Sequence, residues 1–102
     1  MNITLTLLGR AAIDAPYTEL SISNVVVTDT VVDCTPTVPP AAVGQELALR
    51  ILADDNAKAI IGALPALAYG KEYIVFGRAP RQVQFRNGDG VRLCCPGVTA
   101  AA

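Results

Sequence analysis

Short segments of β-branched and alternating residues, separated by turn residues, run through most of this chain. Residues 3–8 alternate apolar and hydroxyl side chains, the pattern of a strand with one buried face. Residues 19–34 are rich in valine, isoleucine and threonine, which fit a pleated sheet better than a helix, so they predict one long strand or two. A bulge or turn is expected near Asn24, because the inward phase set by Leu20 and Ile22 breaks there.

The C-terminal half carries clearer strand signals. Residues 73–76 and 81–86 each predict a strand. The sequence Asn-Gly-Asp-Gly at 87–90 indicates a tight hairpin that returns through residues 91–94. The chain is therefore expected to be all-β, a small antiparallel β-sandwich or barrel of about six to eight short strands with at most one short helix.

Residues 41–64 leave an alternative open. Leu47, Leu49 and Ile51 fit a strand period, whereas Val43, Leu47 and Ile51 fit a helical stripe. A short helix within 54–64 is compatible with the all-β fold. A helix across 41–64 would instead give an α+β fold.

The length of 102 residues predicts a single domain over 1–102. Residues 35–40 contain Pro36, Pro39 and Pro40, which favour an extended backbone and predict a stiff, proline-rich arm. A flexible tail is expected at 98–102. Alternation along the predicted strands gives the expected core: Ile3, Leu5, Leu20, Ile22, Val27, Leu49, Ile51, Ile74, Phe76, Val83, Phe85, Val91 and Leu93.

The chain has no histidine, and only 17% of its residues are charged. Most acid–base, nucleophilic and metal-assisted chemistry at neutral pH uses imidazole, so we expect no enzyme activity, no catalytic residues and no cofactor. Cys34, Cys94 and Cys95 fall short of the four ligands of a structural zinc site, so no metal is expected. Whether these thiols are free or crosslinked stays open.

One short segment resembles an enzyme motif. The valines at 25–27 followed by Asp29-Thr30 are similar to the active-site strand of retroviral-type aspartic proteases, which would imply a dimer sharing two aspartates. Val31 stands where that family has a glycine, so the turn that presents the carboxylate lacks its usual residue.

No membrane span is expected, because a span needs about 20 consecutive apolar residues. The longest apolar run, 59–69, is interrupted by Pro65. The N-terminal residues lack the basic segment of a secretory signal, so synthesis in the cytoplasm is expected.

Charge is distributed unevenly along the chain. Residues 1–49 carry one arginine against five carboxylates, whereas residues 50–102 carry seven cations against four carboxylates. The asymmetry fits head-to-tail association, in which the acidic half of one copy faces the basic half of the next. Folding can also interleave the two halves and remove the asymmetry.

Two kinds of interaction are expected from these features. Arg78, Arg81, Arg86 and Arg92 lie close together in sequence and, with the three prolines of the arm, are candidate interface residues. In the alternative, Arg78–Arg92 forms a basic hairpin of a small module that binds nucleic acid or an anionic ligand. Nucleic acid is the less favoured partner, because the net charge is −1.

High apolar content, sparse charge, the proline-rich arm and the small-residue tail are typical of a subunit covered by its neighbours. In this overall character the chain resembles small accessory virion proteins of tailed bacteriophages, of the decoration or cement type. The resemblance implies a non-catalytic structural protein that forms homo-oligomers or docks on a larger protein assembly such as a capsid. The virion would then be its final location.

Overall fold

Two four-stranded antiparallel sheets make up the fold. The computed structural model describes residues 1–64, 67 and 70–98. One sheet has the strand order β2-β1-β4-β7 and the other β3-β8-β5-β6, and the two pack face to face. Their bounds are β1 Asn2–Arg10, β2 Thr18–Val26, β3 Val32–Cys34, β4 Glu46–Ala53, β5 Ala57–Ala63, β6 Lys71–Val75, β7 Arg81–Phe85 and β8 Asp89–Cys94. The predicted β-sandwich is confirmed.

The main core lies between the sheets and follows the period-two alternation of the strands. In β1 and β4, paired antiparallel, Leu5 lies opposite Ile51 and Leu7 opposite Leu49. All four side chains point inward and are buried. Of the expected core residues, the structure buries Ile3, Leu5, Val27, Leu49, Ile51, Val83, Phe85, Val91 and Leu93.

Residues 41–64 hold two strands, so the α+β alternative is wrong. β4 pairs with β1 on one side and β7 on the other, which satisfies its backbone groups on both edges. A 3-10 turn at Pro40–Ala42 precedes β4. Asn56 lies in the turn between β4 and β5, and its Oδ1 accepts a hydrogen bond from the Gly77 amide at 2.9 Å, which ties this turn to the one after β6.

β2 carries a bulge closer to its start than the sequence predicts. The pairing with β1 shifts between Leu7 and Leu8, which leaves Leu20 as the extra residue. Leu20 packs half-buried against the main core, over Gly9. Beyond the bulge Ile22 points outward and is 58% exposed, so its expected place in the core is wrong.

The inward phase of β6 is also the opposite of the expected one. Ile74 and Phe76 are exposed, whereas Tyr73 and Val75 face the other sheet. Tyr73 pairs with Ala59 and Val75 with Ala57, and these small partners leave room for the larger side chains between the sheets. An apolar run such as 73–76 is compatible with either phase, and the partner strand decides which one forms.

The predicted hairpin at 87–90 is wrong in its pairing. The turn itself forms, with Gly88 at a φ of 97° and the Asp89 amide donating to the Arg86 carbonyl at 3.0 Å. The chain then crosses to the other sheet, so that β7 pairs with β4 whereas β8 pairs with β3 and β5. The inward side chains of β7 and β8 therefore meet across the core.

A loop segment covers part of the outer face of the second sheet. Gly62 and Gly90 are cross-strand partners there, and their lack of side chains lets the chain pass closely above them. A Cβ on Gly62 would lie 2.7 Å from the Gly70 Cα, and one on Gly90 would lie 2.9 Å from a Leu64 methyl carbon. A second, smaller cluster forms on this face from Ile60, Leu67 and Cys94.

Candidate interaction surfaces

Four cationic side chains collect where edge strands β6 and β7 lie side by side. Lys71 begins β6, Arg78 lies in the turn after it, Arg81 begins β7 and Arg86 follows β7. All four are exposed, and none forms an ion pair within the described residues. We call this surface the basic side. Arg78, Arg81 and Arg86 were expected from the sequence, whereas Lys71 was missed because its segment resembles a turn.

Tyr73 lies at the centre of the basic side. Lys71 Nζ is 5.5 Å from the centre of its ring, and the Arg81 guanidinium carbon is 5.1 Å from it. Such cation–π contacts are worth about 0.5–1 kcal/mol each at exposed sites. Arg81 also donates from Nη1 to the Ile74 carbonyl at 2.7 Å, so a side chain of one sheet binds the edge strand of the other.

An open cleft of about 250 Å³ lies beside this tyrosine, between the two sheets. Its lining includes Tyr73, Gln84, Arg86 and Asp89. The Asp89 carboxylate accepts a hydrogen bond from the Arg86 amide at 3.0 Å, so it serves the turn after β7. The cleft offers hydrogen-bonding groups and a guanidinium, but no pair of groups arranged as nucleophile and base.

Arg92 lies away from the basic side. It projects from the outer face of β8 and forms a two-point ion pair with Asp33 of β3, at 2.7 and 3.0 Å. The hydrogen bond from Arg92 holds the pKa of Asp33 below its ordinary value. The pair links a three-residue edge strand to its neighbour, which is a structural task.

The proline segment lies partly against the body of the sandwich. Pro36 and Pro39 are half-buried, and Val38 packs against the main core. Pro40 is exposed and begins the 3-10 turn. The segment therefore exposes one of the three prolines to solvent and uses the other two in part for packing. Of the expected tail, residues 99–102 lie outside the described residues.

The opposite side of the sandwich is acidic. Edge strands β2 and β3 and the loops before and between them carry Asp14, Glu19, Asp29 and Asp33. No lysine or arginine occurs anywhere in residues 11–45. Glu19 pairs with Arg50 of β4, across β1, and Asp33 pairs with Arg92 of the neighbouring β8. Asp14 and Asp29 are exposed without an ion pair in the described part of the chain. We call this surface the acidic side.

All three thiols are free. Cys34 is half-buried next to Asp33, and burial raises its pKa to about 11. Cys94 is fully buried in the outer cluster, and burial raises its pKa as well. Cys95 turns to the other face and packs against the main core, with its sulfur 3.1 Å from the Thr28 carbonyl oxygen. The raised pKa values disfavour the thiolate form of Cys34 and Cys94, which makes these two sulfurs weak nucleophiles.

Across the described residues, no three His, Cys, Asp or Glu side chains converge as a metal site. No helix there has the length and apolar character needed to cross a bilayer. Comparisons with known protein families, with characterised proteins and with solved structures find no match for this chain.

Proposed function

We propose that this chain is a non-catalytic structural protein that works through self-association or through docking on a larger assembly. More specifically, we propose a capsid accessory protein of a phage, exposed on the virion. The proposal is carried by the apolar side chains at the sheet edges. Ile22 and Val26 of β2 are 58% and 65% exposed, and Ile74 and Phe76 at β6 are 41% and 64% exposed.

These side chains lie where a partner can pair. An edge strand has unpaired N–H and C=O groups along one side, and these accept a further strand unless charge, proline or a bulge blocks it. Large apolar side chains next to such an edge favour a partner, because contact removes them from water. Pro80 before β7 and the bulge in β2 limit pairing to part of each edge.

The remaining surfaces favour binding over catalysis. The cleft beside Tyr73 is open, and the thiols at Cys34 and Cys94 have raised pKa values that suppress the thiolate form. Asp29 lies in an exposed loop, and the nearby Asp33 is already paired with Arg92. An aspartic-protease arrangement needs two carboxylates that share a proton, so this geometry does not favour it.

The experiment is the solution mass as a function of protein concentration, by size-exclusion chromatography with light scattering. We expect a mass that exceeds the 10.6 kDa monomer and rises with concentration. Phe76→Thr together with Ile22→Thr should lower it. Val43→Thr is the matched control, because Val43 is 60% exposed but lies outside both edge strands. A 10.6 kDa species at every concentration would contradict self-association.

A second candidate function is supported by the unpaired cations of the basic side. Arginines beside a half-buried aromatic ring such as Tyr73 suit an anionic ligand or a single-stranded nucleic acid. This module would use Arg78, Arg81 and Arg86 but not Arg92, which is engaged with Asp33. Binding of a single-stranded oligonucleotide that falls steeply with salt would favour this function. No binding at low salt would count against it.

A further inference from the structure

We propose that copies of this chain dock head to tail, with the basic side of one against the acidic side of the next. This inference rests on the proposed self-association and specifies its surfaces. The basic side is formed by β6, β7 and the turns next to them, and the acidic side by β2, β3 and the loops next to them. β2 and β7 are the two edges of one sheet, and β3 and β6 are the two edges of the other. The contacts of Arg81 with Tyr73 and Ile74 place β7 beside β6, so β2 and β3 lie at the opposite end of the sandwich.

Charge separation between the sides is the first observation. Residues 11–45 carry four carboxylates and no cation. Residues 70–88 carry four cations and one carboxylate, Glu72, and Asp89 lines the cleft beside Arg86. Folding interleaves the charges of the two halves only in part: Arg50 and Arg92 pair with Glu19 and Asp33. Asp14 and Asp29 on one side, and the four cations on the other, form no ion pair in the described residues. Complementary potentials of this kind favour association between unlike surfaces and oppose it between like ones.

The positions of the charges along the edges also match. β7 has Arg78 before its first residue and Arg86 after its last, and β2 has Asp14 before and Asp29 after. β2 and β7 run in opposite directions, because the strands of their sheet alternate and the sheet has an even number of them. A neighbour placed by translation along the sheet therefore brings its β2 antiparallel to β7. Arg78 then lies at the same end of the contact as Asp29 of the neighbour, and Arg86 lies at the same end as its Asp14.

The same translation continues the second sheet. β6 and β3 also run in opposite directions, so β6 meets the neighbour's β3 as an antiparallel edge. Ile74 and Phe76 then lie within the contact, as do Ile22 and Val26 of the neighbour's β2. The Ile74 carbonyl already accepts a hydrogen bond from Arg81. The contact between β6 and the neighbour's β3 would therefore be made mostly by side chains.

When copies dock through two different surfaces, an open complex keeps a free basic side at one end and a free acidic side at the other. Such a contact produces a ring if the rotation closes and a filament if it does not, whereas a symmetric dimer would bury one surface against itself. Assembly should also weaken as salt screens the charges.

The test reverses the charge of each side in turn. One variant carries Arg78→Glu and Arg86→Glu, and another carries Asp14→Lys and Asp29→Lys. None of these side chains takes part in an ion pair in the described residues, so folding should be kept, and circular dichroism checks it. Arg78→Lys with Arg86→Lys is the matched control, because it alters the same two positions and keeps their charge.

We expect each single-side variant to associate about tenfold more weakly than the wild type, since like charges then face each other. Mixing the two variants should restore assembly, and a chain with all four changes should assemble with itself. The Arg78→Lys, Arg86→Lys control should assemble like the wild type. Sedimentation velocity at 50 mM and 500 mM NaCl measures all of these.

Three outcomes would overturn the inference, and they are distinguishable. If the single-side variants assemble like the wild type, self-association stands but these surfaces are wrong. A closed dimer that mixing leaves unchanged would mean a symmetric contact. A wild type that stays monomeric throughout would remove the proposed function together with this inference. In that case, loss of oligonucleotide binding in the Arg78→Glu, Arg86→Glu variant would assign the basic side to nucleic acid.

Discussion

Two isoleucines in the same sheet give a sharp test of the strand phases in this fold. Ile51 of β4 is fully buried in the main core, whereas Ile22 of β2 is 58% exposed on the outer face. The sequence predicts both as core residues. Replacing each with alanine removes the same atoms, so the difference between the two variants isolates the effect of burial.

The magnitudes follow from exposure. Ile51→Ala deletes buried methyl and methylene groups and leaves a cavity, which lowers the free energy of unfolding by about 2–5 kcal/mol. A domain of this size is stable by about 5–15 kcal/mol, so this is a large share. Ile22 has already lost less than half of its surface to the fold, and Ile22→Ala should lower the free energy of unfolding by about 1 kcal/mol.

Urea denaturation followed by circular dichroism measures both values. At micromolar protein and 500 mM NaCl, self-association is suppressed and does not add to the apparent stability. The midpoint for Ile51→Ala should fall by about 1–3 M in urea, and that for Ile22→Ala by much less. Equal losses in the two variants would refute the phase of β2 beyond its bulge. A larger loss of unfolding free energy for Ile22→Ala than for Ile51→Ala would mean that Ile22, and not Ile51, faces the core.

Three further predictions concern the loop over the second sheet, an ion pair and a thiol. Gly62→Ala should lower the free energy of unfolding by about 1–3 kcal/mol, because its Cβ would meet the Gly70 backbone, and Gly97→Ala, which meets nothing, should be close to neutral. In thermal unfolding, equal effects of these two would contradict the close packing of the loop. Asp33 has a lowered pKa, so its pair contributes above pH about 4 and fades as pH falls through that pKa. Because Asp33 is half-exposed, Asp33→Asn should lower the free energy of unfolding by at most about 1 kcal/mol near neutral pH and leave it unchanged in strong acid. A difference between variant and wild type that grew in acid would contradict the lowered pKa. Cys34, with a pKa of about 11, should react with a thiol reagent at pH 7.4 far more slowly in the folded chain than in urea, and equal rates would show that it is accessible.

The fold class could be predicted from the sequence because the strand signal is repeated along the chain. Alternation in 3–8 and 81–86 sets both the strand and its buried face. The phase of 73–76 could not be predicted in this way, because four adjacent apolar residues are compatible with either face pointing inward. Ala57 and Ala59 on the partner strand decide it, and they are distant in sequence.

The turn at 87–90 shows a second limit. Its residues require a tight reversal, and the reversal forms with Gly88 in the left-handed region. Whether the two strands then pair with each other or with strands of separate sheets depends on long-range partners. β4 and β5, which pair with β7 and β8, were themselves ambiguous between strand and helix in the sequence.

The candidate surfaces were predicted only in part. The arginines Arg78, Arg81 and Arg86 come together as the sequence suggests, whereas Arg92 lies on another face and pairs with Asp33. Lys71 could have been found from the alternation Lys71, Tyr73, Val75, which places a cation and an aromatic ring on one face. The acidic side needs the topology, because only the strand orders show that β2 and β3 lie opposite β6 and β7.

Zero-length crosslinking tests the head-to-tail arrangement most directly. A carbodiimide joins a lysine amine to a carboxylate in contact with it, and Lys71 is the lysine of the basic side. In a mixture of light and heavy isotope-labelled protein, mass spectrometry separates links between copies from links within one copy. We predict links between copies that join Lys71 to Asp14, Glu19, Asp29 or Asp33. Links between copies that join Lys71 only to Glu72 or Asp89 would contradict the arrangement, because they place one basic side against another.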